Sequence, residues 1–121
     1  MVGKAPQTRQ QMRAQAAYSC ISSAKKTMSK KETDDYAQLA KKFPALVHNC
    51  GLAQAIAFIQ AKEEATGKAY IAHLNRIMDE KSDIENTSRN ADQVKYQWLT
   101  REIIMSATWL KRYSEALLEQ D

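Results

Sequence analysis

The sequence predicts an all-α fold: a compact single-domain bundle of five to six helices with a long C-terminal helix. Three observations lead there. Only three glycines and two prolines occur in 121 residues, too few for the many tight turns of a β-rich fold. Apolar residues recur at steps of three and four in most segments, the helical period. Hydrophobic residues make up 44% and charged residues 26%, an ordinary globular balance, over a length that suits one core spanning residues 1–121. No run approaches the roughly 18 apolar residues of a membrane span. The opening MVGKAPQTRQQ has no apolar signal core, so a cytoplasmic protein is expected.

Residues 1 to 7 read as a flexible leader. Thr8 suits an N-cap, with Gln11 three residues on in the capping-box position. The helix it opens extends to about Thr27. Its stripe of Met12, Ala16, Ala17, Cys20, Ile21 and Ala24 is mostly small, so two helix backbones can approach closely there. Ser29 to Asp35 is a polar break. Thr33, followed by Asp34 and Asp35, suits the start of a second helix, because acidic groups favour the positive end of the helix dipole.

Tyr36 to Lys62 is the most apolar segment. Leu39, Ala40, Phe43, Leu46 and Val47 keep helical spacing. Pro44 is expected to interrupt this helix, since it lacks an N–H and its ring clashes with the preceding turn. Gly51 suits a left-handed C-terminal cap. From Leu52 to Ile59 the residues are apolar almost all round, which predicts a buried helix. Thr66-Gly67 is expected to end it.

Tyr70, Ile71, Leu74, Ile77 and Met78 mark a further amphipathic helix, with His73 and Arg76 off the stripe and facing water. Asp79 to Arg89 is the most polar stretch and reads as a loop. Asn90 with Gln93 makes a capping box for the last helix, about Ala91 to Glu119. Its apolar face is Tyr96, Leu99, Ile103, Ala107, Leu110, Tyr113 and Leu117. Trp98, Met105, Trp109 and Ala116 widen that face.

Catalytic patterns are missing. There is no Gly-rich phosphate loop, no G-x-S-x-G and no H-E-x-x-H, so no enzyme is expected. His48 and Cys50 are two apart and do not face each other on a helix. Cys20 and Cys50 form no C-x-x-C pair and read as structural side chains. Asp34-Asp35 and Glu63-Glu64 diverge as neighbours on a helix and read as helix-end charges. No metal and no cofactor are implied.

Charge is more informative. The whole chain carries +4, yet residues 1 to 31 hold Lys4, Arg9, Arg13, Lys25, Lys26, Lys30 and Lys31 with no Asp or Glu. That segment is +7, so the other 90 residues sum to −3. Such asymmetry suits an anionic partner, and equally a solvated helix face. Further cations at Lys41, Lys42, Lys95, Arg101, Lys111 and Arg112 could neutralise phosphates. Tyr96, Trp98, Trp109 and Tyr113 fall at core spacing, which favours packing over base stacking. An acidic protein partner of a helical adaptor is the competing reading. A DNA-binding regulator is a weaker one, since no helix-turn-helix is recognisable.

Two blocks carry a family resemblance. The first is Tyr36-x-x-Leu39-Ala40-x-x-Phe43-Pro44-x-x-Val47-x-Asn49-x-Gly51-Leu52, followed by Ala57-Phe58 and Lys62. The second is Tyr96, Thr100, then Trp109-Leu110-Lys111-Arg112-Tyr113 and Ala116. Arg13-Ala14 with Ala17 adds a third match. The pattern resembles the small α-helical subunit of the type III-B CRISPR RNA-guided effector, the Cmr complex. One departure is Gln97, where the family pattern has a basic residue.

The resemblance implies a non-catalytic subunit of an antiviral ribonucleoprotein. Several copies would stack into a minor filament beside the filament of backbone subunits. Its partners would be guide RNA and target RNA, the backbone and large subunits, and further copies of itself, with no membrane. Base pairing would supply sequence recognition, and cleavage would belong to the backbone subunit. The resemblance does not single out RNA contacts. The candidates are Arg13, Lys25, Lys26, Lys41, Lys42, Lys111 and Arg112, each equally readable as solvated surface.

Overall fold

Side-chain caps fix where the helices begin. In the structure, a computed structural model that describes residues 7–62, 64–79 and 83–118, Thr8 and Gln11 form a reciprocal capping box. It opens α1, Arg9–Thr27. A second box, Ser29 with Glu32, opens α2, Lys30–Cys50. The helix therefore starts ahead of Thr33, whose hydroxyl donates instead to the Lys30 carbonyl. The chain does break at Met28 and Ser29, but Lys30–Asp34 and Lys31–Asp35 pair one turn apart, so the rest of the expected break, from Lys30 on, is helix.

Pro44 lies inside α2 and does not end it. An interior proline costs about 3 kcal/mol. Tyr36, Ala40 and Phe43 before it and Val47 after it are all buried in one core, which offsets that cost and keeps the chain helical on both sides of the proline. Gly51 does cap α2, its N–H donating to Val47 at 2.8 Å. Its φ of 88° with ψ of 157° keeps the positive φ but is not the left-handed helical pair expected. Only glycine enters that region readily, and the chain passes directly into α3, Leu52–Lys62.

Leu52, Ala55, Ile56 and Ile59 bury one face of α3. Ala57 is exposed and Phe58 is 49% exposed, so this helix is covered on one side and not buried all round as expected. It packs on α2, α4 and α5 and leaves its other side open.

The next helix, α4, is Ala65–Met78, with Glu64 as N-cap. Gly67 sits within its first turns and is no stop signal. A Cβ there would lie 2.8 Å from Ile59 Cγ2, so the missing side chain lets α4 close on α3. His73 is half-buried and bonded to Tyr36, not turned to water.

The polar stretch after α4 contains a short helix, α5, Ile84–Asn90. The Asp83 carboxylate accepts from Asn86 N–H, and Asn75 of α4 accepts from Ile84 N–H at 2.7 Å. Fully buried Ile84 anchors it. The last helix, α6, is Gln93–Leu117, capped by Asp92 and not by Asn90. Leu99, Ile103, Ala107 and Leu110 are fully buried, with Tyr96, Trp98, Trp109 and Tyr113 packed at the edge. The described residues thus form six helices about one core and no strand. Residues 1–6 of the expected leader, Glu63, residues 80–82 and Glu119 lie outside the described residues.

Candidate nucleic-acid interface

The first and last helices make the most extensive pairing. They run parallel: Arg9 meets Glu102, and nine residues on Tyr18 meets Tyr113. Glu102 is only 8% exposed, and two guanidiniums from α1 hold it. Arg13 is 9% exposed and Arg9 63%. Burial pushes the Glu102 carboxyl up, but hydrogen bonds and charge from Arg13 and Arg9 outweigh this and leave it below the ordinary value. Arg13, a candidate for touching phosphate, thus has its partner inside the protein.

Among the other candidates, Lys25 and Lys26 are exposed in the last turn of α1. Arg112 is exposed and Lys111 half-buried near the end of α6. The parallel pairing brings these two basic pairs toward one end of the α1–α6 seam. An aromatic trio lies along the same two helices, two turns before Lys25 on α1 and in the turn that holds Lys111 and Arg112 on α6. Tyr18 stands at 80° to Tyr113 with centroids 5.5 Å apart, and Tyr113 stacks on Trp109 at 5.7 Å. α1 contains no Asp or Glu, and neither does α6 from Ile103 to Ser114.

Lys41 and Lys42 belong to a different surface, the exposed side of α2. Lys42 lines an open groove of about 940 Å³ whose walls are α2, α3 and the start of α4. Leu39, Leu46 and Phe58 floor it, and its rim mixes Lys31 and Lys62 with Asp35 and Glu64.

Other chemical groups are placed apart. His48 and Cys50 are both exposed at the end of α2. Cys20 is fully buried, and its thiol is pushed up by burial, with Arg76 opposing. Among the described residues no cluster of His, Cys, Asp and Glu could hold a metal, and no helix is long and apolar enough to cross a membrane. Sequence reasoning missed Tyr18 and Glu102. Glu102 had one visible signal: a lone acid beside Ile103, on the face that the acid-free, arginine-bearing α1 must cover.

These features define a small all-helical module with one strongly cationic seam. The family model described as "CRISPR-associated protein (Cas_Cmr5)" matches residues 9–117. The chain belongs to that family, the small-subunit family of the type III-B Cmr complex. A relative from Thermus thermophilus, "CRISPR system Cmr subunit Cmr5", is 34% identical over 115 residues, spanning 93% of this chain and 98% of its own. The crystal structure of a CRISPR-associated Cmr5 family protein from the same organism superposes with a TM-score of 0.86 at 33% identity. It covers 94% of this chain and all of that one. The family read from the Tyr36 and Tyr96 blocks is therefore the family found.

Proposed function

We propose that this chain is the non-catalytic small subunit of a cytoplasmic Cmr ribonucleoprotein effector. It lines the guide–target RNA groove with its cationic seam, stacks with further copies of itself, and contacts the backbone and large subunits. The observation that carries the RNA reading is the seam. Lys25, Lys26, Lys111 and Arg112 lie toward one end of two parallel helices that are acid-free along α1 and from Ile103 to Ser114. Such cations neutralise phosphates without reading sequence, and their effect is salt-dependent. Lys41 and Lys42 would make a separate contact from α2. Arg13 contributes by fixing α1 on α6.

The test is RNA binding by the reconstituted effector across a salt series. Charge reversal at Lys25 and Lys26, or at Lys111 and Arg112, is expected to weaken binding. Each lost phosphate contact should flatten the log–log salt slope by about 0.7 to 0.9. Unchanged affinity and slope in both double variants would refute the RNA reading. Native purification that yields one acidic protein and no RNA would favour an adaptor instead.

A further inference from the structure

Each of the other tyrosines has a structural task. Tyr36 bonds His73, and Tyr70 is fully buried against Tyr36 and Phe43. Tyr96 accepts the Ala53 N–H, and Tyr113 stacks on Trp109. Tyr18 alone is 45% exposed, held upright against Tyr113 by an edge contact. A large apolar side chain in this position contributes little to the core. It is pre-positioned, because Tyr113 and Trp109 behind it are themselves half-buried.

We propose that Tyr18, backed by Tyr113 and Trp109, is a stacking platform for an unpaired base of single-stranded RNA. The platform rests on the RNA reading above and adds to it a contact with a base, where the cations contact only phosphates. Two things favour RNA as the occupant. The platform is flanked by Lys25 and Lys26, two turns along α1, and by Arg112 on α6, and Glu102 is already neutralised by Arg9 and Arg13. Against one exposed acid nearby, Glu115, these three cations leave a net positive charge around an aromatic surface, the pairing of charge and ring that single-strand binders use. A base held in a duplex presents no free face, so the platform discriminates unpaired from paired RNA.

The experiment titrates the full chain at low salt with a short oligouridylate carrying one 2-aminopurine, and with a blunt RNA duplex. The wild type should quench 2-aminopurine fluorescence. Tyr18→Ala should weaken single-strand binding about five- to hundredfold, with duplex affinity and the single-strand salt slope unchanged. Tyr18→Phe should bind like the wild type, which separates stacking from a hydroxyl contact. Thermal melts of each variant report folding. The platform is overturned if the wild type gives no quench, if Tyr18→Ala binds normally, or if it loses duplex and single strand equally. Normal Tyr18→Ala binding alongside a flattened slope in the charge-reversed variants removes the platform and leaves the RNA reading standing. An unchanged slope removes both.

Discussion

Tyr36 Oη and His73 Nδ1 lie 2.6 Å apart, a hydrogen bond that ties α2 to α4. Burial holds the imidazole below the ordinary histidine value of 6.5, and Arg76 adds to this. Burial also pushes the Tyr36 phenol well above 10, so the phenol is the donor and the neutral ring the acceptor. The unfolded chain binds the proton more readily than the folded one, so stability is full above pH 6.5 and falls as pH drops below it. Urea midpoints should decline from pH 8 to pH 5.5. His73→Gln should flatten that decline. A wild type that gained stability on acidification over this range would contradict the neutral pairing.

Removing Arg13 should cost more than removing a partner of either exposed lysine–aspartate pair of α2. Arg13→Met leaves a buried carboxylate with only the exposed Arg9, and should cost about 3 to 5 kcal/mol in urea unfolding. Arg9→Ala should cost under about 1 kcal/mol, because that guanidinium is mostly in water. The Glu102 contribution should persist above the ordinary carboxylate range and disappear as pH falls through its lowered folded value.

Gly67→Ala sets helix propensity against packing. Alanine is favoured in a helix by about 1 kcal/mol, but its methyl would meet Ile59 Cγ2 at 2.8 Å. Ile59 is nearly fully buried and branched, so it has little room to move. The expected result is a net loss of about 1 to 3 kcal/mol. In a double-mutant cycle, Ile59→Ala should remove most of the penalty. Additive losses would show that the clash is not the cause.

Tyr96→Phe tests a cap supplied from another helix. α3 follows Gly51, which has no side chain to satisfy the first N–H groups. Tyr96 Oη of α6 accepts from Ala53 N–H at 3.1 Å in its place. Loss of the hydroxyl should cost about 0.5 to 2 kcal/mol. Amide exchange should accelerate at Ala53 before it does elsewhere in α3.

The helical class, the Thr8 capping box and the face of α6 were legible because each is a local pattern. What escaped was decided across helices. Pro44 looks like a break until Phe43 and Val47 are seen in the same core. Gly67 looks like a stop until Ile59 fills the space beside it. His73 looks solvent-facing by its position on α4, and only the approach of Tyr36 buries it. The same holds for the candidate site. The basic positions could be counted from sequence, but not their division between the α1–α6 seam and the α2 groove. Arg13 could not be separated from its neighbours without Glu102, 89 residues away. Tyr18 carried no signal, since one exposed ring on a weakly patterned helix has no period to mark it.

The union of α1 with α6 also bears on how the chain acquires its shape. Arg9 and Glu102 are 93 residues apart, and the helix pair they join is the most extensive in the molecule. Closing so long a loop is entropically costly and yields nothing until both helices exist. On the ribosome, α1 would therefore emerge able to meet α4 but with its α6-facing side bare until α6 is released. Helices α2 to α4, which pack near neighbours, can assemble earlier. The seam would be the last surface completed, and a nascent chain stalled before α6 would lack it.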